Sequence, residues 1–128
     1  MEGLYTDHLV IHVDRSAPAC LKLDWLGRST SGNPGKILAP FFEQLLAEAS
    51  RGARRVEMHF EALEYFNSSM ISALIHLIHS ARSAKVALRI HYDAALRWQA
   101  LSFDALERDV QSLGQIDGSI VEFSAASS

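Results

Sequence analysis

Asn67, Ser68 and Ser69 stand in a row where an apolar strand pattern gives way to an apolar helix pattern, in the string EALEYFNSSMIS over 61–72. An Asn at that junction is suited to cap the helix, because its side-chain oxygen accepts an amide hydrogen two or three residues further on. A serine in the first turn is equally placed to be a working hydroxyl. The triplet by itself leaves both readings open.

Other residues that do chemistry elsewhere are present without the spacing it needs. His12, His59 and His91 all take outward positions on their strands, a face shared with Lys22, Asp24, Glu57 and Arg89, as on a solvated sheet with cross-strand charge pairs. Nothing in their spacing says that the imidazoles converge at bonding distance. His76 and His79 are three apart on a helix, a ligand pair with no evident third member. No metal and no cofactor are therefore expected. Serines, histidines and carboxylates abound, yet there is no G-x-S-x-G elbow. In GRSTSGNPGK, Asn33 follows Gly32 and Ile37 follows Lys36, so the phosphate-loop pattern fails. That stretch reads as a connection whose Ser29, Thr30 and Ser31 are available to a partner surface. A non-enzymatic protein is expected.

The elements that must position these residues follow from hydrophobic period. Leu9, Ile11 and Val13 alternate over 8–14, and Leu21, Leu23 and Trp25 alternate over 20–26, both at the period of a strand. RSAP between them is a turn. Gly27 to Gly35 reads as a loop, with Asn33 as cap and Pro34 as the first residue of a helix. Ile37, Leu38, Phe41, Phe42, Leu45, Leu46 and Ala49 form that helix's apolar stripe, and Gly52 ends it. A third strand carries Val56, Met58 and Phe60 inward, and a fourth carries Val86, Leu88, Ile90 and Tyr92. Residues 94–113 predict a helix with Leu106, Val110 and Leu113 inward. Ser119 to Phe123 predicts a last strand before the polar tail SAASS. The order is ββαβαβαβ, an α/β fold with a mixed sheet and helices packed mainly on one face.

A chain of 128 residues, 48% hydrophobic, matches one domain over 1–128 with an ordered core over about 4–123. Its net charge of -3 favours neither nucleic acid nor an anionic membrane as partner. The short basic cluster Arg51, Arg54 and Arg55 complements a helix C-terminus. The lone Cys20 excludes an intrachain disulfide and agrees with a reduced, cytoplasmic setting. MEGLYTDHLV lacks a positive leader with an apolar core, so export is not expected.

Beyond Asn67, helical stepping puts Met70, Ala73, Leu74, Leu77, Ile78 and Ala81 on one side. Ser68, Ser69, Ser72, His76, His79, Ser80 and Ser83 fall on the other. That polar arc is bordered by Ile71 and Ile75 and holds no fixed charge. Solvated helix faces usually carry Lys and Glu, so the arc reads as a docking surface, with Ser69, Ile71, Ser72, Ile75, His76 and His79 as candidate partner-binding residues.

At these residues the sequence resembles the STAS domain family, named after sulfate transporters and anti-sigma factor antagonists, and in particular its free-standing bacterial antagonists. The family pattern is an apolar strand, a few residues, an aromatic or Met, then Asp-Ser-Ser/Thr-Gly-Leu and a helix. Here VEMHF, EALEY and Phe66-Asn67-Ser68-Ser69-Met70-Ile71 stand in those places, and the likeness covers most of the chain. The resemblance implies that Ser68, with Ser69 as second choice, takes a phosphate. An ATP-dependent kinase of the anti-sigma type would add it and a PP2C-type phosphatase would remove it. The unphosphorylated form would bind the kinase or another signalling effector, a mechanism called partner switching. Three features depart from the pattern: Asn67 in place of Asp, Met70 in place of Gly, and a longer segment over 94–118. Tyr-Phe-Asn before a hydroxyl residue is similar to STAS-like phosphoproteins that regulate diguanylate cyclases. A scaffold or regulatory subunit that binds its partner constitutively, for example a diguanylate cyclase, is the alternative.

Overall fold

The computed structural model describes residues 3–5, 8–29, 34–112 and 121–126. Its elements run β1 (Gly3–Tyr5), β2 (Leu9–Asp14), β3 (Cys20–Ser29), α1 (Pro34–Gly52), β4 (Arg55–His59), β5 (Leu63–Phe66), α2 (Ser68–Ala84), β6 (Leu88–Asp93), α3 (Arg97–Ser112) and β7 (Val121–Ala126). The expected order ββαβαβαβ is present, with the short strands β1 and β5 added. One mixed sheet has the strand order β1-β2-β3-β4-β6-β7. β1, β2 and β3 are antiparallel, whereas β4 joins β3, β6 joins β4 and β7 joins β6 in parallel. The fold is STAS-like.

Strand alternation sets the two faces of this sheet. Ile11, Leu21, Leu23, Trp25, Val56, Met58, Leu88 and Ile90 are buried in the single core, while His12, Lys22 and Arg89 on the other face are exposed. Against the buried face lie α1 with Leu38, Phe41, Phe42, Leu45, Leu46 and Ala49, α2 with its full predicted inward set, and α3 with Phe103 and Leu106. Leu113 and the side chains of Ile37 and Val110 lie outside the described residues.

Three expectations are corrected. The loop predicted from Gly27 is in its first part strand. Gly27 has φ +87°, β3 bulges there, and Arg28 donates its amide hydrogen to the His8 carbonyl at 2.9 Å before β3 runs on to Ser29. The link EALEY contains β5, which pairs with the end of β3 and so continues along the same edge of β3 where β4 stops. The polar tail SAASS begins in strand, since Ser124, Ala125 and Ala126 pair with His91, Tyr92 and Asp93. Thr30, Ser31 and Asn33, and so the predicted cap of α1, lie outside the described residues.

The break between β4 and β5 is held by one buried polar side chain. Gln99, at the start of α3, donates from Nε2 to the carbonyls of Phe60 (2.7 Å) and Leu63 (3.1 Å), and its Oε1 accepts from the Asp93 amide (2.8 Å). It is fully buried. Backbone groups that lose their ladder partners at the break are thereby satisfied without water. The strand that leads into Asn67 and Ser68 is fixed to β6 and α3 by this residue.

Candidate functional site

α2 starts where the residue chemistry predicts. Asn67 is the N-cap, in extended conformation, and its Oδ1 accepts the Met70 amide hydrogen at 3.2 Å. Ser68 and Ser69 occupy the next two positions, whose amides have no acceptor within the helix itself. Ser68 is exposed and Ser69 half-buried, so the first is the more accessible hydroxyl. Met70 is fully buried in the core and anchors the turn. Capping and exposure coexist: Asn67 serves the backbone and leaves the Ser68 side chain to solvent.

The arc behind Ser68 forms one continuous surface. Ser72, His76, His79, Ser80 and Ser83 are exposed, and Ile71 and Ile75 are half-buried against the core. Arg82 is the one charged residue of α2. Beside the arc, α1 and α2 enclose a largely apolar groove of about 500 Å³, lined by Phe42, Leu46, Ala73, His76, Leu77 and Ser80 among others. Each candidate partner-binding residue thus falls on or at the border of the same face.

Two partly exposed aromatic residues, on β5 and α3, are not singled out by the sequence. Tyr65, on β5, is 45% exposed, and its ring centroid lies 6.1 Å from that of Trp98 on α3. Trp98 in turn meets the buried Phe66 edge-on at 5.3 Å. Half-exposed Tyr and Trp are the side chains that most often anchor protein interfaces. The only signal in the sequence was an aromatic pair, Tyr65-Phe66, of which a short strand can bury one member.

On the open face of the sheet the histidines are arranged by register. His12 faces Asp24, Asp24 faces His59, and His59 faces His91, one row across four strands. His59 and His91 stack with centroids 4.2 Å apart and planes 3° apart. Glu57 lies beside both, its Oε1 at 3.5 Å from His59 Nε2 and 3.4 Å from His91 Nε2. Burial, and then the neighbouring His59, hold the His91 imidazole below its ordinary range, so it favours the neutral form. Burial pushes the Glu57 carboxyl up, but the hydrogen bond and charge of Arg55 outweigh it and keep the group ionised. His76 and His79 are both exposed on α2, and among the described residues no third ligand closes on them.

The basic cluster is engaged in pairs rather than gathered for an anion. Arg54 lies 3.7 Å from Glu48 and Arg55 donates to Glu57 at 2.8 Å, while Arg51 sits in the last turn of α1. Cys20 is buried, and burial raises its thiol. Among the described residues, no helix is long and apolar enough to cross a membrane.

With the fold and this face described, known proteins provide a comparison. No family model matches the chain, and no curated protein matches it in sequence. Solved structures do match. The likeness is to SiaC of Pseudomonas aeruginosa. Apo-SiaC superposes with a TM-score of 0.64 at 19% identity over 98% of both chains. A second SiaC structure gives 0.61 at 21% identity over 100% of both. The third match, 0.64 at 22% over 98% of both, is a crystal structure of the diguanylate cyclase SiaD in complex with its activator SiaC. At these identities SiaC shares the fold of this chain over its whole described length.

Proposed function

We propose that this chain is a non-enzymatic regulatory protein that docks an effector enzyme on the α2 face, with a diguanylate cyclase as the partner. The observation that carries the reading is the exposed arc Ser68, Ser72, His76 and His79, free of fixed charge and flanked by a largely apolar groove. Such a surface loses little on desolvation and has apolar borders to bury. The fold likeness to SiaC, which is described as the activator of a diguanylate cyclase, favours that partner class over a sigma-factor pathway. The test is to add the purified protein to diguanylate cyclases from its own cell and follow cyclic dinucleotide synthesis. Stimulation of one of them supports the reading; no change in rate and no complex with any of them contradicts it.

Phosphate control of that docking is a second reading, favoured by the position of Ser68. The side chain is exposed at the first helical position, and a phosphate there would add about -1.5 to -2 charge where free amides and the helix dipole stabilise it. The fold would tolerate the group, and the partner would not: a dianion set into an interface shaped for a neutral serine weakens binding. A loss of about 3 kcal/mol corresponds to roughly a hundredfold in affinity. The kinase and the PP2C-type phosphatase are the partners this switch requires. Incubation with ATP and kinases from the same cell, read by mass spectrometry for wild type and Ser68→Ala, decides it. Phosphate that persists equally in the variant contradicts the assignment to Ser68.

A further inference from the structure

The face of the sheet opposite the helices carries a feature that docking on α2 does not use. Glu57 and His59 lie on β4, and His91 lies on β6 directly beside His59. One ligand atom from each of the three residues falls within 4.8 Å of the others. Nε2 of His59 and Nε2 of His91 are both buried, and among the described residues neither has a hydrogen-bond partner. Unsatisfied buried nitrogens are costly to keep, and two on adjacent strands flanking one carboxylate oxygen call for a shared partner.

We propose that Glu57, His59 and His91 form a zinc-binding site on the open face of the sheet, bridging β4 and β6. Two imidazoles and a carboxylate are a known zinc donor set, with water completing four-coordination. Two of the three ligand separations already fit this ion's geometry. Ligand atoms about 2.0–2.1 Å from a tetrahedral metal lie about 3.4 Å from one another, whereas at the same bond length an octahedral metal brings neighbouring ligands to about 2.9 Å. The separations from Glu57 Oε1 to the two Nε2 atoms are 3.5 and 3.4 Å, the tetrahedral edge.

The surroundings hold the ligands as a zinc site needs. Nδ1 of His59 lies 3.3 Å from Oε1 of Glu61, which favours the tautomer with its proton on Nδ1 and leaves the Nε2 lone pair for the metal. Arg55 Nε donates to Oε2 of Glu57 at 2.8 Å, so the other oxygen, Oε1, is the one turned to the histidines. A cavity of about 340 Å³ bordered by His12, Asp24, His59 and Glu61 adjoins the cluster on the His59 side. The two rings stack in parallel, so their lone pairs run side by side. Binding would tilt the rings until both point at one ion.

The full chain, stripped with a chelator, is titrated with Zn²⁺ in competition with a chromophoric chelator. One equivalent with a dissociation constant of about 1 µM or tighter is expected. His91→Asn and Glu57→Gln should each weaken binding at least tenfold, while the joint change of His76 and His79 to alanine should leave it unchanged. Circular dichroism of the metal-free variants checks that they fold. Long-range ¹⁵N–¹H spectra of the wild type give a readout that needs no variant, since zinc should shift Nε2 of two histidines and leave the other four in place. Absence of a stoichiometric site, binding that survives both near-isosteric variants, or unshifted His59 and His91 nitrogens would overturn the proposal. These results are independent of any effect on a partner enzyme.

Discussion

Asn67 Oδ1 accepts the backbone amide hydrogen of Met70 at 3.2 Å, and this bond fixes the start of α2 while the intervening Ser68 side chain remains exposed. The cap and a modifiable hydroxyl are therefore parts of one arrangement. Asn67→Ala should lower stability by about 1 kcal/mol. Asn67→Asp should be neutral or slightly stabilising, because a carboxylate caps equally well and suits the helix dipole. Denaturant midpoints of the two variants measure both effects.

Gln99 is the residue on which the approach to that site depends. Gln99→Met removes three hydrogen bonds at once: the Leu63 carbonyl and the Asp93 amide lose the partner that Gln99 supplies, while the Phe60 carbonyl keeps the Leu63 amide hydrogen. A loss of about 3 kcal/mol or more is expected, read as a fall in the unfolding midpoint. Amide exchange should quicken first around Leu63 and Asp93.

Gly27 tolerates no side chain. A Cβ there would stand 2.2 Å from the His8 carbonyl oxygen, at a φ of +87° that L-residues rarely adopt. Gly27→Ala should cost about 2–4 kcal/mol by thermal unfolding. It should also loosen the pairing of β5 with β3, which begins at this residue.

Arg15 grips Glu48 through two hydrogen bonds, Nε to Oε2 at 2.7 Å and a terminal nitrogen to Oε1 at 3.0 Å. These bonds hold the Glu48 carboxyl below its usual range, against the effect of burial. A carboxyl whose folded value is depressed contributes stability that is full above its unfolded value, about 4.3, and is lost as pH falls through the folded one. Wild type should therefore lose its advantage over Glu48→Gln as pH falls below about 4.3 and through the depressed folded value, with a constant difference well above that range. Unfolding curves of the pair across this window give the measurement.

Much of this fold is legible because its signals are local. Leu21, Leu23 and Trp25 announce a strand by alternation, and Ala73, Leu74, Leu77, Ile78 and Ala81 announce a helix by their spacing, whatever the rest of the chain does. β5 is hidden because its four residues bury only Leu63 and Phe66, with Glu64 and Tyr65 both exposed between them, which is not alternation. Gln99 is hidden for another reason. A polar residue early in a helix pattern reads as solvent-facing, and the break between β4 and β5 together with the end of β6 gives it partners. The outward positions of His59 and His91 were readable, but their contact depends on the register of β4 against β6, which no local pattern encodes.

The claim at the centre of this account is that an effector docks on the α2 face. It is tested most directly by the affinity of the partner cyclase for two variants that each add a carboxylate, His76→Glu on the exposed arc and Lys22→Glu on the opposite face of the sheet. The account predicts at least a tenfold weaker complex for His76→Glu, about 1.4 kcal/mol, and less than a twofold change for Lys22→Glu. Equal affinities for the two variants, or a loss confined to Lys22→Glu, would contradict it.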